Sequence, residues 1–565
     1  MQKKWWKEGV VYQIYPRSFM DSNGDGVGDL AGILSKLDYL QELGVNIVWL
    51  CPVYQSPHFD NGYDISDYYR IMDQFGTMAD WERLLDGLHG RGMRLIMDLV
   101  INHTSDEHYW FQQARTGKDN PYRNYYIWRP GNDGREPNNW ASEFGGSAWE
   151  YDARTDEYYL HLFSRRQPDL NWENKKLRTE LYTMIKWWLD KGIDGFRMDV
   201  INLISKEPGL PDAPQRTISR YQFGRQFYRN GPRIQYFLRE MHQKVLGKYN
   251  IMTVGETPGV DPDEANIYVS EDRHELDMIF QFELLELDYG PGGKWDMIPW
   301  QLTDFKRILS EWQIKLQKGK SWNSLFLNNH DQPRAVSRFG NDGPYRVQSA
   351  KLLATLTHTL QGTPFVYQGE EIGMTNVKFP NIEDYRDIDT FNMYNEALAD
   401  HADKAQVMEL IYARSRDNAR TPLQWDDSPN AGFTAGTPWI NVNPNYRDIN
   451  IKQAMADPQS IWHYYQRLIR LRQNNPILIY GDYHLILPEH EHIYAYLRTL
   501  GQERFLVLLN FAGQAADFQL PGDIDFNSAA LLIANYDECS GEDCRSGILK
   551  PYEARVYHLP TGSQK

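Results

Sequence analysis

Four short segments combine carboxylates with His, Arg or Asn, which are residue types that carry acid–base and nucleophilic chemistry. They read DLVINH at 98–103, GFRMD at 195–199, VGE at 254–256 and NNHD at 328–331. Each segment alone is explained as well by a helix N-cap, because Asp often stands between a strand and the next helix. Four such segments at corresponding strand ends predict a catalytic site instead.

The elements that must position these segments follow from the hydrophobic pattern. Short β-rich runs alternate with helical patterns, which is typical of βαβ units and a parallel sheet. The predicted strands are Val10–Tyr15, Asn46–Cys51, Arg94–Ile101, Gly195–Asp199, Ile251–Val254, Met278–Phe282, Ser324–Asn328 and Pro364–Tyr367. Helical patterns between them include Leu30–Leu43, Met78–Arg91 and Lys176–Lys191. The pattern predicts an α/β fold with a TIM (β/α)₈ barrel, and a doubly wound open sheet is the alternative.

Two stretches depart from this alternation. Residues 104–173 are rich in Trp, Tyr, Asn, Asp and Gly, and a structureless loop of that length is improbable, so we predict an inserted subdomain after strand three. Beyond Pro476, short strand-like runs such as Ile493–Leu497 and Arg504–Asn510 predict an antiparallel β-sandwich domain. The predicted boundaries are 1–103 and 175–478 for the two parts of the barrel, 104–174 for the inserted subdomain and 479–565 for the C-terminal β domain.

The composition excludes several classes of protein. With 41% apolar and 24% charged residues, the 565-residue chain can bury a sizeable core and is not disordered overall. A formal net charge of −16 argues against nucleic acid as a partner, which would need clustered Lys and Arg. No run of about 18 apolar residues and no apolar leader segment occurs, so we expect a cytoplasmic protein without a membrane partner. We also expect a monomer or a weak homodimer.

The cysteines and aromatic residues leave alternatives open. Three Cys in a chain of this length cannot form a disulfide framework. Cys51 lies in an apolar run and is predicted to be a buried thiol, whereas Cys539 and Cys544 are interpreted as reduced surface thiols, with pairing as the alternative. The 14% aromatic content suits stacking on sugar rings, but a Trp-rich core explains it equally well.

The four chemical segments, in this order and spacing, resemble the conserved regions of glycoside hydrolase family thirteen, the α-amylase family. The resemblance runs from Trp5 nearly to the C-terminus and is greatest to the oligo-1,6-glucosidase (isomaltase) branch. Four further segments carry it: WWKEGVVYQIYPRSFMDSNGDG at 5–26, DNGYDISDYY at 60–69, QPDLNWEN at 167–174 and RDNARTPLQWDD at 416–427.

The resemblance implies a retaining α-glucosidase with three catalytic carboxylates. It assigns Asp199 as the nucleophile, Glu256 as the acid/base and Asp331 as the transition-state stabiliser. Arg197 lies two residues before Asp199 on the same strand face, so we expect it to keep that carboxylate ionised. Glu256 must stay protonated near neutral pH, so we expect burial and neighbouring carboxylates to raise its pKa.

Further positions resemble the family's substrate-binding residues. The resemblance implies that His103 and His330 donate to the hydroxyls of the cleaved glucose and that Tyr63 stacks on its ring. Asp60 and Arg416 resemble a pair that closes the pocket, which implies an exo-acting enzyme for terminal glucose. The remaining substrate-binding positions are Phe163, Gln167 and Val200.

Val200, directly after the nucleophile, indicates the linkage. Val at this position resembles enzymes that accept α-1,6 linkages, but a methyl group changes preference by only about 1–3 kcal/mol. We therefore expect hydrolysis of α-1,6 and also of some α-1,4 bonds in isomaltose, panose and short isomalto-oligosaccharides. The alternatives are a trehalose-6-phosphate hydrolase, a maltase-type α-1,4-glucosidase, a sucrose isomerase and an inactive sugar-binding relative. The adjacent Arg165 and Arg166 could contact a phosphate, whereas the RLDRD loop of sucrose isomerases is absent.

The run DSNGDGVGD at 21–29 alternates oxygen-bearing side chains with glycine. It matches the start of a calcium loop, but Gly32 stands where an EF-hand has its twelfth-position Glu. The resemblance implies a structural Ca²⁺ site, or a Mg²⁺ site, and no organic cofactor. Its ligands would be Asp21, Asn23, Asp25, the Val27 carbonyl and Asp29. An Asx-rich turn without metal is the alternative.

Overall fold

The structure is a computed structural model that describes residues 3–522, 524, 526, 529–536 and 545–559. Its central sheet confirms the predicted barrel, with eight strands in the order β6-β5-β4-β3-β2-β1-β8-β7. Every pairing in this sheet is parallel. The strands are β1 Val11–Ile14, β2 Ile47–Leu50, β3 Arg94–Leu99, β4 Gly195–Met198, β5 Met252–Glu256, β6 Met278–Phe280, β7 Ser324–Leu325 and β8 Thr363–Tyr367.

The strand β7 is shorter than the predicted Ser324–Asn328. It pairs only with β8, so the ladder is open between β6 and β7. The hydroxyl of Ser324 donates to the Ile279 carbonyl across this gap at 2.7 Å. A side chain thus replaces the backbone ladder where the barrel closes.

Helices follow the strands and cover the outside of the barrel. The predicted helix over 30–43 is two helices, because residues 35 and 36 separate Leu30–Leu34 from Leu37–Leu43. Thr77 and Asp80 form a capping box at the start of Met78–Gly90, which explains why that helix begins there. The other helices of eight or more residues are Lys175–Asp190, Ile234–Lys244, Pro262–Val269, Leu302–Lys318, Arg346–Thr359, Ile388–Ala399, Lys404–Arg414 and Ile461–Asn474.

Alternate residues of each strand enter different apolar clusters. On β1, Val11 packs with Trp49, Phe280 and other residues in one buried cluster, whereas Tyr12 belongs to the larger cluster that includes the helices. This period of two is the expected consequence of strand geometry. The barrel is therefore filled by side chains, and its polar groups collect at the carboxyl ends of the strands.

The segment between β3 and β4 carries its own three-stranded antiparallel sheet, formed by Trp128–Arg129, Trp149–Asp152 and Glu157–Leu160. An ion pair of 2.7 Å joins Lys206, which follows β4, to the buried Asp169 in this segment. The insertion is thereby fixed over the end of the barrel that carries the chemical segments.

The C-terminal part confirms the predicted antiparallel β domain. Its five-stranded sheet contains Asp482–Ile486, Ile493–Leu500, Glu503–Asn510, Ala554–Leu559 and Ala530–Ala534, in that order. A second sheet of Ala516–Gln519 and Ser546–Leu549 shares an apolar cluster with the first. The ammonium of Lys306, on a barrel helix, donates to the carbonyls of Leu487, His490 and Ile493 and so joins the two units.

Two further observations concern earlier predictions. Cys51 is buried, as predicted, with 1% of its surface exposed, whereas Cys539 and Cys544 lie outside the described residues. Within the part of the chain that the structure describes, no helix combines the length and apolar character needed to cross a membrane.

Candidate active site

Three carboxylates meet at the carboxyl ends of the barrel strands. Asp199 follows β4, Glu256 is the last residue of β5, and Asp331 follows β7. The guanidinium of Arg197 lies 2.7 Å from Asp199 Oδ1 and 2.7 Å from Glu256 Oε2, so one cation holds both carboxyl groups. This arrangement matches an acid and a nucleophile that act on the same bond.

Asp98, in the first chemical segment, has a supporting position rather than a place in the pocket. Its carboxylate is fully buried and lies 2.8 Å from Arg197 Nη1. The indole of Trp49 donates to its second oxygen at 2.7 Å, and the Tyr63 hydroxyl approaches the same oxygen at 3.4 Å. Asp98 therefore helps to fix the orientation of the Arg197 guanidinium.

Burial dominates the pKa values of the two carboxyls that Arg197 holds. Burial raises the pKa of Glu256 to about 7, and the charges of Asp199 and Asp331 add to the rise while Arg197 opposes it. This agrees with the predicted raised pKa of Glu256. The pKa of Asp199 is also raised, to about 6, because burial outweighs Arg197. Arg197 thus favours the ionised form of Asp199, as expected, without restoring its ordinary pKa.

Asp331 has the opposite electrostatic environment. Burial acts to raise its pKa, but His330, Arg416 and Arg420 hold the pKa of this carboxyl well below its usual range. The Arg420 guanidinium lies 2.6 Å from Asp331 Oδ1, and that of Arg416 lies 3.3 Å from the same atom. Three carboxylates in one pocket therefore differ in proton affinity, which is the condition for separate acid and anion roles.

His330 is placed as a neutral donor. The side-chain amide of Gln13 donates to its Nδ1 at 2.8 Å, so the proton is on Nε2, which lies 3.1 Å from Asp331 Oδ2. Burial lowers the pKa of His330. Its ring is stacked on that of Tyr63, with centroids 5.1 Å apart and an angle of 7° between the planes.

The remaining predicted residues form one wall of the pocket. Arg416 lies 3.3 Å from Asp60, and the amide of Gln167 donates to the other oxygen of Asp60 at 3.1 Å. The Gln167 amide is also 3.2 Å from His103 Nε2, and the Phe163 ring lies 5.3 Å from the His103 ring. The inserted segment thus supplies Gln167 and Phe163, and the Asp60–Arg416 pair bridges distant parts of the chain.

Val200 has a strained backbone at the site. Its φ of 34° and ψ of 44° lie in the left-handed region, which a β-branched residue rarely adopts. Its backbone N–H donates to Glu256 Oε2 at 3.2 Å, and its side chain packs in a cluster with Leu203 and Tyr228. This residue therefore links β4, Glu256 and the apolar cluster of Leu203 and Tyr228.

Two residues of the site were missed by the sequence analysis. Asp387 is fully buried and lies 2.6 Å from Arg416 Nη2, and Arg420 donates to both Asp331 and the His330 carbonyl. Both lie in the segment after β8, where only Arg416 had been predicted as a site residue. One signal was available, because Arg416 and Arg420 are spaced by one helical turn in RDNARTPLQWDD.

The predicted calcium loop is ordered by its own hydrogen bonds. The carboxylate of Asp21 accepts from the N–H groups of Asn23, Gly24 and Gly26. Asp29 accepts from Ser22 and caps the following helix through Gly32. In the described residues, no three His, Cys, Asp or Glu side chains form a group that could hold a metal, so a cation here would also need the amide and carbonyl oxygens. The donor set is all oxygen, which fits a hard cation.

Comparison with known proteins identifies the family. A model of the alpha amylase catalytic domain matches residues 13–481, and one of the maltogenic amylase C-terminal domain matches residues 483–555. The chain belongs to the α-amylase family. The predicted resemblance is thereby confirmed.

Relatives in this family cover the whole chain. An oligo-1,6-glucosidase from Parageobacillus thermoglucosidasius is 62% identical over 560 residues, covering 99% of this chain and 100% of the relative. One from Bacillus cereus is 59% identical with the same coverage. Among solved structures, a trehalose-6-phosphate hydrolase from Bacillus licheniformis is 51% identical with a TM-score of 0.93, again covering 99% and 100% of the two chains.

The paired pKa values predict a narrow pH profile for the α-amylase-family reaction. Ionised Asp199 is lost as pH falls below about 6, and protonated Glu256 is lost as pH rises above about 7. We expect kcat/KM to form a bell with its maximum between these values. Initial rates from pH 4 to 9 on one glucoside would test this. A rate that is flat from pH 7 to 9 would contradict the role of Glu256 as the acid.

Proposed function

We propose that this chain is a retaining, exo-acting α-glucosidase that hydrolyses terminal α-1,6-glucosidic bonds. Its substrates would be isomaltose, panose and short isomalto-oligosaccharides, with α-1,4 bonds cleaved less readily. The observation that carries the mechanism is the single Arg197 guanidinium bound to both Asp199 and Glu256. It favours the short separation of about 5 Å that retaining enzymes have over the wider one of inverting enzymes.

The proposed reaction assigns one step to each carboxyl. Glu256 donates its proton to the glycosidic oxygen while Asp199 attacks the anomeric carbon, and the leaving sugar departs. Ionised Glu256 then takes a proton from water, which attacks the glucosyl ester and restores the α-anomer. Asp331, held as an anion, stabilises the positive charge that develops on the sugar.

The proposed exo action on terminal glucose is supported by the wall of the pocket. Arg416, Asp60 and Gln167 form a continuous set of polar contacts between the segment after β8, the segment after β2 and the insertion. A chain cannot extend past such a barrier, so only a terminal glucose would reach Asp199. The linkage preference is supported by Val200 and by the oligo-1,6-glucosidase relatives.

A trehalose-6-phosphate hydrolase is the second candidate, because two enzymes of that name are 51% and 50% identical in sequence to this chain. The Arg pair that could bind phosphate gives it little support. Arg166 lies 3.0 Å from Asp106 and 3.2 Å from Glu107, and its guanidinium is 3.6 Å from the Phe59 ring centroid. A phosphate would have to compete with two carboxylates for this cation, although Arg165 is exposed.

Initial rates on isomaltose, panose, maltose, sucrose and trehalose 6-phosphate test the proposal. We expect isomaltose and panose to be hydrolysed fastest. In Val200→Thr, which keeps the side-chain shape, we expect the ratio of isomaltose to maltose turnover to fall about tenfold, because one methyl contact in the acceptor region is replaced. Faster turnover of trehalose 6-phosphate in the wild type would overturn the linkage proposal but leave the mechanism intact.

We also propose a bound divalent cation, most simply Ca²⁺, in the loop 21–29. Asp21, Asn23, Asp25, the Val27 carbonyl and Asp29 are the ligands that the family resemblance implies, and their oxygen chemistry supports the proposal. The three Asp side chains form no metal-holding group in the described residues, so they would have to close around the cation. A cation there would bind only the folded chain and so add to its stability. We expect chelation with excess EDTA to lower the melting temperature, and Ca²⁺ to restore it. An unchanged melting temperature, together with no ion in native mass spectrometry, would contradict the proposed cation. The loop would then be an Asx-rich turn without metal.

Location and assembly belong to the same proposal. Three Cys in 565 residues and a buried Cys51 thiol are compatible with a reducing compartment, and they support a cytoplasmic enzyme. We propose a monomer or a weak homodimer that acts on a small neutral oligosaccharide, without nucleic acid or membrane. Sedimentation velocity over a range of protein concentrations would test the assembly state.

A further inference from the structure

Glu143, in the insertion, joins two parts of the chain that meet beside the pocket. Its backbone N–H donates to the Leu162 carbonyl at 2.8 Å, which fixes its backbone within the insertion. Its carboxylate contacts the short helix Arg225–Tyr228, which lies between β4 and β5 in the chain. Arg225 Nη2 lies 2.7 Å from Glu143 Oε2, and the Tyr228 hydroxyl donates to Glu143 Oε1 at 2.9 Å. The carboxylate is therefore a bridge between the insertion and the segment after β4.

Two cations hold the Glu143 carboxylate in its ionised form. Burial acts to raise the pKa of Glu143, but Arg225 and Arg229 lower this pKa below its ordinary value. Arg229 Nη2 lies 3.5 Å from Glu143 Oε1. Arg229 also lies close to the backbone of Gly259, where a Cβ atom would be only 2.9 Å from its Nη1. Gly259 is three residues after Glu256, so the Glu143 contacts reach the segment that follows the proposed acid/base.

Tyr228 connects Glu143 with the apolar cluster of Val200. The Tyr228 side chain is fully buried in this cluster, and Phe163 packs against it. Because the hydroxyl of Tyr228 donates to Glu143, the ring cannot shift within the cluster without breaking that hydrogen bond. The Val200 N–H donates to Glu256, which is proposed to protonate the glycosidic oxygen. Val200 and its cluster therefore lie on the side of the leaving sugar.

Phe144, the residue after Glu143, contacts the wall that contains Arg416 and Phe163. The centroids of the Phe144 and Phe163 rings are 5.6 Å apart, and the guanidinium carbon of Arg416 is 5.0 Å from the Phe144 centroid. The Phe144 carbonyl accepts from the side-chain amide of Asn392 at 2.7 Å. Since Phe144 and Glu143 are consecutive, a displacement of Glu143 would also displace Phe144.

We propose that Glu143 is a positioning residue that sets where the leaving sugar is held, and thereby the linkage preference. It acts through Tyr228 and Phe144 and not on the reacting atoms. The cleaved glucose is the same in every α-glucoside, whereas the direction of the leaving sugar depends on the linkage. A displaced wall should therefore change the selection between linkages more than the chemical step. The inference rests on the proposed glucosidase activity, but not on which linkage is preferred.

Tyr228→Phe and Glu143→Gln, alone and combined, test this inference in the ratio of kcat/KM on isomaltose to kcat/KM on maltose. Tyr228→Phe removes only the hydroxyl that donates to Glu143, and Glu143→Gln removes the charge that Arg225 and Arg229 hold. We expect each variant to move the ratio toward one by about threefold, mainly through KM. The double variant should move it no further than the larger single effect, because both changes break the same contact. Glu143→Asp, which keeps the charge, should recover part of the selectivity.

Glu157→Gln is the matched control. Glu157 also lies in the insertion, with 18% of its side chain exposed against 15% for Glu143, and it also has two cationic partners. These partners, Arg123 and Lys118, belong to the insertion itself. Both Glu→Gln variants remove a paired charge, so both should lower the melting temperature, but Glu157→Gln should leave the substrate ratio unchanged.

The outcomes separate this inference from the proposed function. A fall in kcat/KM by the same factor on both substrates in Glu143→Gln, or an unchanged ratio, would reduce Glu143 to an anchor of the insertion and leave the proposed function intact. If the wild type prefers maltose and the variants still move the ratio toward one, the proposed linkage preference fails and the role of Glu143 stands. A wild type that shows no preference between the two substrates would overturn both.

Discussion

Replacing Asp199 with Asn should lower kcat on isomaltose by roughly 10⁴-fold or more while leaving the fold intact. The amide has the shape of the carboxylate but cannot form the glucosyl ester, so the first displacement is lost. Burial already raises the pKa of Asp199 to about 6, which means that its charge is unfavourable in the folded chain. We therefore expect the melting temperature of Asp199→Asn to equal or exceed that of the wild type.

The matched variant is Glu256→Gln, which separates the two roles. The loss of activity in Glu256→Gln should depend on the leaving group. A phenolate whose conjugate acid has a low pKa departs without a proton donor, whereas a sugar alkoxide does not. Turnover of isomaltose should fall steeply, while glucosylation by p-nitrophenyl α-glucoside, measured as a pre-steady-state burst, should fall much less. Asp199→Asn should lose activity on both substrates equally. If Asp199→Asn keeps more than about one hundredth of the wild-type rate, another group is the nucleophile.

The sequence was sufficient for the parts of this molecule that depend on local pattern. The eight barrel strands, the insertion after β3 and the C-terminal antiparallel sheets follow from β-rich runs, their spacing and the turn residues between them. β7 was predicted too long because Phe326 and Leu327 are as apolar as strand residues, but the pairing of β7 with β8 ends at Leu325 and Pro364, although β8 itself continues to Tyr367. Apolar character indicates burial, and pairing depends on the partner strand.

The site could be predicted where one sequence segment contains both a residue and the partner that it contacts. Arg197 and Asp199 share a strand face, so their contact follows from the period of two. Arg420 and Asp331 are 89 residues apart, and Arg416 and Asp60 are 356 apart. Such contacts depend on how the segment after β8 folds back over the barrel, which no local pattern specifies. Asp387 was missed for the same reason, since a single Asp before a helix is equally well an N-cap, a role that it also has.

Arg420 provides the second large expected effect, because it holds Asp331 without any role in the pocket itself. Its guanidinium is 1% exposed, lies 2.6 Å from Asp331 Oδ1 and donates from Nε to the His330 carbonyl at 3.0 Å. Arg416 reaches the same carboxylate oxygen only at 3.3 Å. His330, Arg416 and Arg420 together keep Asp331 anionic, and Arg420 makes the shortest contact that orients it, so we regard Arg420 as a positioning residue.

Arg420→Met should lower kcat about 10²–10³-fold with a smaller change in KM, because Asp331 would lose its orientation and part of its charge in the transition state. The pKa of Asp331 would rise from well below its usual range, so its ionisation should join that of Asp199 and make the acid limb of the kcat profile steeper. Arg420→Lys should recover part of the rate, since an ammonium can reach one of the two acceptors.

Arg334→Met is the control that distinguishes positioning from structure. Arg334 is equally buried, but its hydrogen bonds go to the carbonyls of Asn418, Gln368 and Ala419 and not to a carboxylate. Both Met variants remove a buried cation, so both should lower the melting temperature. Of the two variants, only Arg420→Met should make the acid limb steeper, because of these two arginines only Arg420 contacts a carboxylate that must stay ionised during turnover. Equal pH profiles in the two variants would reduce Arg420 to a structural residue and leave His330 and Arg416 to hold Asp331.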